Sequence, residues 1–369
     1  MRGGRGVSDR EAAIRDAFAE QAADCERLGS PFMALLLRTT GRGLDRSSAA
    51  GGRVLDWPDE PGAEGDNLPL RLAGGLHALV RQGRLPELAR LYPPHRLPDQ
   101  DTLWCAMARA LAEAGRELDP WLDSAPQTNE ALRAATIMAG LLVVAQRTGL
   151  PLSLYELGAS AGLNLILDRY EHRLGPDANT AVRVGTAGSP VVLAPAWEGA
   201  PPPSAPVRIV RRRGMDLHPL DLAGPADRER LLAYVWADQA ECLARTEAAL
   251  DLAAADPPPM DQADAAEWTE AHLDPAPERG AARVLTHAIA FQYFPGETKR
   301  RIAEHTERVG ARATAEAPFA WLRLEMEPES GDAPVLRLRL WPGGEDEVLA
   351  IGHLHGEKVR WTSDEAAGG

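Results

Sequence analysis

The chain has 369 residues, 44% hydrophobic and 25% charged, with 54 acidic side chains against 40 basic ones and a net charge of −14. That length supports one large domain or two ordinary ones with a proper core, and the acidic balance argues against a general grip on nucleic acid or on an anionic membrane. Cys25, Cys105 and Cys242 are scattered without metal-ligand spacing, and no apolar run reaches the ~18 residues of a membrane span. The expectation is a reduced, cytoplasmic protein with no metal, membrane or nucleic-acid partner.

Residues 8 to about 150 read as helical. Ser8 and Glu11 form a capping box that opens a helix reaching Leu28. Leu72, Leu76, Leu79 and Val80 share one helical face, as do Trp104, Met107, Ala108 and Leu111. Residues 47–67, rich in Gly, Asp, Ser and Pro, read as a surface loop. Residues 1–128 are therefore expected to form an all-helical cap domain, and 129–369 an α/β domain. A helix over 129–147 is apolar nearly all round and should be buried. Its entry, Gln127, Thr128, Asn129 and Glu130 with Arg133 a turn later, reads equally as capping chemistry and as the lining of a pocket.

Leu152, Leu154, Tyr155 and Leu157 make a short apolar run behind Pro151, a buried parallel strand by pattern. Glu156 stands near its end, where a carboxylate is costly to bury alone. Gly158, Ser160 and Gly162 then supply a tight turn, and Leu163, Leu165, Ile166 and Leu167 open an apolar helix. A strand, a small-residue turn and a helix start leave backbone N–H groups free to bind. A β-hairpin insertion comes next at about 174–206, ending in a proline-rich linker. The next strand, 207–210, runs out through Arg211, Arg212 and Arg213, a polar strand end, to Asp216. A long helix is expected over 226–254, and a short one after Asp264. A strand over 283–290 exits through Phe291, Gln292 and Tyr293 into a helix ending near 310. A strand over 319–325 and two alternating strands, 335–341 and 347–355, close the chain, the last carrying His353 and His355 on one face. Strands alternating with helices and ending in an antiparallel hairpin indicate a doubly wound α/β sheet with mixed edges.

Ligands in such sheets bind beyond the carboxyl ends of the strands. The strand exits here are 156–164, Asp216, Asp264 and 286–293, and three of the four carry a carboxylate. That set suits a nucleoside-like ligand, with acids for ribose hydroxyls and an amino group. It suits a dinucleotide less, because Glu156 would repel a pyrophosphate and the turn lacks a full G-x-G-x-x-G. His287 reads either as a general base at a strand exit or as a satisfied core imidazole.

The stretch Glu156-Leu-Gly-Ala-Ser-Ala-Gly-Leu-Asn164 resembles the first motif of class I S-adenosylmethionine-dependent methyltransferases. Residues 127–130, 156–164 and 168–170, the Gly214-x-Asp-x-x-Pro-Leu-Asp221 pattern, and His355-Gly356 resemble an uncharacterised bacterial family, domain of unknown function 2332. The resemblance implies a Rossmann-like, methyltransferase-type fold and S-adenosylmethionine as cofactor. It implies that Glu156, Gly158, Ala159, Ser160, Gly162 and Asn164 cradle the methionine part, and that Asp216 takes the ribose. Asp264 with Ala265 would take the adenine amino group, while Thr286 to Tyr293, with His287 among them, would border the transferred methyl. Gln127, Asn129, Glu130 and Arg133 would then face a small-molecule acceptor. Ser160 in place of the usual glycine, and the long separation of Asp216 from Gly162, are departures from that pattern. A rival reading takes Gly158-Ala-Ser160-Ala-Gly162 as the G-x-S-x-G elbow of a serine hydrolase, with Asp264 or Asp256 and His287 or His355 completing a triad. A non-catalytic binding module is the third.

Overall fold

A computed structural model describes residues 4–127, 129–274, 279–327, 331 and 333–363. The chain divides into two compact units, the first comprising 1–128 and 224–244, the second 129–223 and 245–369.

The first unit is helical, as its periodicity demands: α1 (Gly4–Arg27), α2 (Pro31–Gly43), α3 (Ala49–Leu55), α4 (Leu68–Arg81), α5 (Pro86–Ala89), α6 (Gln100–Ala114) and α7 (Asp119–Leu122). α1 begins before Ser8, so the expected capping box lies inside the helix and does not start it. Phe18, Leu36, Leu72, Leu103, Met107 and Leu118 form the core. Glycines let large rings approach the helices closely. A Cβ on Gly74 would lie 2.5 Å from the Tyr234 ring, and one on Gly75 would lie 2.9 Å from Trp121.

Tyr234 belongs to the segment 224–244, which the sequence pattern joins to residues 245–254 in one long helix. That helix is broken. α9 (Pro225–Ala233) stops, and α10 (Ala240–Ala255) starts afresh, because the intervening residues are tied to the helical core; α8 (Arg133–Thr148) precedes both in the chain. Asp238 accepts a hydrogen bond from the Phe32 N–H at 2.9 Å and another from the Ser30 hydroxyl. His77 Nδ1 donates to the Ala233 carbonyl at 3.1 Å.

The second unit is built on a mixed α/β sheet. Its strands are β1 (Leu152–Leu157), β5 (Ala196–Glu198), β6 (Ile209–Asp216), β7 (Met260–Gln262), β8 (Ala282–Ala288), β9 (Phe319–Met326), β10 (Pro334–Trp341), β11 (Asp346–Ile351) and β12 (Lys358–Trp361). The order is β5-β12-β11-β10-β9-β8-β1-β6-β7. The five strands from β9 to β7 in that row are parallel, and β9 to β12 form an antiparallel meander. β2 (Glu171–Leu174), β3 (Val182–Gly185) and β4 (Val192–Leu193) form a separate three-stranded sheet in the region expected as a hairpin insertion.

Several sequence expectations shift here. β6 runs through Arg211, Arg212 and Arg213 instead of ending before them, because Arg212 and Arg213 find carboxylates in Asp168 and Asp261. β7 and β12 are short strands that the pattern left unassigned. His353 and His355 sit in the connection after β11, not on a strand face. The helix expected from 129 begins at Arg133, with Leu132 as its cap, so Asn129 is not its N-cap; Thr128 lies outside the described residues.

Successive strand residues point to opposite faces, and helices cover both. On one face α11 (Ala265–Leu273) and α12 (Gly296–Gly310) pack on Tyr155, Leu157, Met215, Leu285 and Trp321. On the other lies α8, where a Cβ on Gly140 would sit 2.6 Å from Leu322, the neighbour of Trp321 on β9. The sequence is apolar on both strand faces for this reason. Among the described residues no helix is long and apolar enough to cross a membrane.

Candidate functional site

Numbered in chain order, the five parallel strands stand 3-2-1-4-5 in space, with β1 central. The chain leaves β1 for β6 and β7 on one side, then crosses to β8 on the other. In open α/β sheets ligands bind at such a reversal, which here falls at the carboxyl ends of β1 and β8, the crevice position of this fold class. Glu156 pairs in register with Thr286 of β8 and Gly214 of β6. Because Tyr155, Leu157, Met215 and Leu285 fill the α11/α12 face, alternation puts Glu156, Thr286 and Asp216 on the α8 face and His287 on the opposite one.

The turn after β1 has left-handed backbone at Gly158 (φ 64°), Ser160 (φ 53°) and Gly162 (φ 73°). Gly158 is required twice over: by its φ, and because a Cβ there would lie 2.6 Å from the Ala290 Cβ. Ser160 and Ile289 are two of the three described non-glycine residues with positive φ, and Ile289 is β-branched, which makes that conformation a strained one. Both flank the crevice, and strain of this kind gathers at functional sites. The expected apolar helix after the turn is replaced by six residues of 3-10 helix, Asn164–Arg169, kinked at Ile166. The N-terminal dipole of a full helix is therefore missing, and with it the case for a phosphate.

Glu156 is buried, 2% exposed, and its Oε1 accepts a hydrogen bond from Asn164 Nδ2 at 2.8 Å. Burial, opposed only in part by that bond and reinforced by the nearby Asp216 carboxylate, pushes its pKa up to about 8. Glu156 Oε2, Asn164 Oδ1, Ser160 Oγ and Thr286 Oγ1 are all buried without a hydrogen-bond partner. Buried polar atoms are nearly always satisfied, and these four lie at the end of β1, in the turn and 3-10 segment that follow it, and on β8.

Asp216 is engaged: its Oδ2 accepts the Ser160 N–H and its Oδ1 the His218 N–H, each at 2.9 Å. Leu220 N–H donates to the Ser160 carbonyl. The loop after β6 is thus laced to the turn after β1. Asp264 caps α11, its Oδ1 accepting from Ala266 and Glu267 N–H, and Ala265 is buried behind it. Tyr293 is 70% exposed.

His287 is fully occupied. Its Nδ1 donates to Glu325 Oε1 at 2.7 Å and its Nε2 accepts the Trp321 indole N–H at 3.1 Å. An indole only donates, so at this contact His287 Nε2 is the acceptor. Glu325 Oε1 also accepts the Ala290 and Phe291 N–H groups. Although burial acts to raise its pKa, these hydrogen bonds hold it below the ordinary glutamate value. Nothing in the sequence pattern pointed to Glu325, an acid at the end of an apolar strand.

Gln127 falls in the first unit; Asn129, Glu130 and Arg133 fall in the second. Asn129 Nδ2 reaches the Ala159 carbonyl at 3.5 Å. Glu130 accepts the Leu132 N–H and pairs with Arg245, and Arg133 Nε donates to the Leu354 carbonyl at 2.7 Å. Gly356 (φ 72°) makes that docking possible, since a Cβ there would stand 2.6 Å from the Arg133 nitrogen. His355 is brought beside Arg133 and Glu130, and burial with the Arg133 charge pushes its pKa down to about 4. Among the described residues no group of three or more His, Cys, Asp or Glu could hold a metal ion.

No curated protein and no solved structure matches this chain. The family model described as an uncharacterised protein conserved in bacteria (DUF2332) matches residues 15–361, which takes in the crevice and both units. The chain belongs to that family.

Proposed function

We propose that the crevice at the ends of β1 and β8 binds S-adenosylmethionine and that the protein is a methyltransferase for a small-molecule acceptor. The observation that carries this reading is the group of four buried, unpartnered oxygens on Glu156, Ser160, Asn164 and Thr286. These oxygens, with the Asp216 carboxylate nearby, form a site rich in acceptors, which favours a ligand bearing positive charge and N–H or O–H donors over a phosphate. The 3-2-1-4-5 strand order and the left-handed turn after the first strand support an adenosyl ligand. The bound donor supplies a methyl group already activated on a sulfonium. The chain's share is to hold that donor, align it and keep water away. Glu156, Asn164 and Thr286 hold the polar end, Gly158 permits close approach, and the Ile289–Tyr293 segment shields the exit. Asp216, spent on two N–H groups, acts on the ligand by shaping the turn.

The test is thermal unfolding and calorimetry of the full chain with S-adenosylmethionine. Saturation at a hundredfold excess over Kd should stabilise the fold by about 2.7 kcal/mol, and Thr286→Val should weaken binding. No shift with millimolar donor refutes the reading. The hydrolase alternative draws on the positive φ and free hydroxyl of Ser160, but His287 is turned to the other sheet face. Labelling of Ser160 by a fluorophosphonate would favour it.

A further inference from the structure

We propose that the socket formed by Glu156, Asn164 and Thr286 takes up a cationic group and that this uptake expels one proton from the Glu156 carboxyl, so that ligand affinity is linked to pH. The inference rests on the donor-binding reading and goes beyond it.

Asn164 supplies the hydrogen bond that the Glu156 carboxyl receives, a neutral one. From β6 the nearest charge is Asp216, of the same sign. Arg212, on the same strand, is held by Asp168 through two hydrogen bonds at 2.7 and 2.8 Å. The 3-10 segment also carries Arg169, which is bound to Asp256. Tyr170 comes directly after it, with its hydroxyl committed to the Leu163 carbonyl. β8 offers the uncharged Thr286, and the α8 stretch 134–145 contains no ionisable side chain. A buried carboxylate with no cation and a like charge beside it is strongly disfavoured. Glu156 therefore rests as the neutral acid at pH 7, consistent with its raised pKa of about 8.

The three unpartnered atoms on these residues are a carboxyl, an amide and a hydroxyl oxygen. They match the three N–H donors of an ammonium group. A cation arriving there stabilises the ionised carboxylate. The balance is simple: the acid form of the protein and the ammonium ion give the ion pair and one hydrated proton, with no bond formed or broken other than O–H.

The experiment is isothermal titration of the full chain with S-adenosylmethionine in phosphate and in Tris, whose ionisation enthalpies differ. Close to one proton should be released per ligand at pH 6.5. Affinity should rise about tenfold per pH unit between about pH 6 and 7 and level off above about 8. Glu156→Gln should release no proton and show a flat profile over this range, with a native circular dichroism spectrum. Thr286→Val, which keeps the acid, should bind more weakly and still release the proton. Binding without proton release, or a flat wild-type profile, overturns the inference and leaves the donor-binding reading intact. No binding at any pH overturns both.

Discussion

Gly158 and Glu156, two residues apart, show how opposite demands meet at one strand end. The glycine is there because nothing larger fits: its φ is 64° and the Ala290 methyl occupies the space a side chain would need. Gly158→Ala should cost about 1–3 kcal/mol of stability in urea unfolding, and a variant as stable as the parent would contradict the packing described. The glutamate is costly to the fold once ionised. Its folded pKa, about 8, lies above the 4.5 of an ordinary glutamate, so the stability it contributes is complete below about pH 4.5 and is lost as pH rises through about 8. Glu156→Gln removes that slope. Relative to wild type, the variant should gain stability between pH 5 and 8, read from unfolding curves at each pH. The motif was legible in the sequence at this scale, down to the turn and the lone acid. What was not legible is that the Asn164 amide, the Asp216 carboxylate and Thr286 are what surround Glu156, since its neighbours on β6 and β8 lie far along the chain.

Among the elements, β8 and β9 illustrate a local device invisible to pattern reading. One carboxylate oxygen of Glu325 on β9 gathers the His287 ring and the Ala290 and Phe291 N–H groups, pinning the exit of β8 where Ile289 is strained. Glu325→Ala should cost about 2–4 kcal/mol, because it strands buried donors. Glu325→Gln should cost clearly less, since an amide oxygen still accepts; equal losses in the two variants would argue against the pin. By its place at a strand exit His287 reads either as a base or as a satisfied core imidazole, and its two ring nitrogens are both engaged. Its neighbour Thr286 has the free hydroxyl instead, and a single residue of strand parity separates the two roles. The helix expected after Gly162 failed for a related reason. Leu163, Leu165, Ile166 and Leu167 are all buried, and apolar residues at both odd and even positions do not distinguish an α-helix from a short 3-10 turn packed under a sheet.

For the whole molecule the ionisable groups imply a stability maximum. His77 in the first unit, and His172 and His355 in the second, have folded pKa values pushed down to about 4, burial being the largest cause in each. Their contribution is complete above the unfolded value of 6.5 and is lost as pH falls toward about 4. Glu156 acts with the opposite sign up to about 8, and three imidazoles outweigh one carboxyl below 6.5. Scanning calorimetry across pH should therefore find the highest unfolding temperature near pH 6.5. A maximum at pH 8 or above would mean that Glu156 is ionised in the native state.

The sequence by itself determined the helical first half, the identity of most sheet strands, the turn at 158–162 and the acids at the strand ends, because periodicity, glycine and burial cost are local properties. It could not supply strand order, since parallel neighbours such as β1 and β8 are joined through more than a hundred intervening residues. Only the tertiary structure placed Thr286 beside Glu156 and turned His287 away from it. It also drew 224–244 into the helical unit through Asp238 and His77. Those outcomes depend on which faces are buried against which helices, a property of the assembled sheet and not of any one segment.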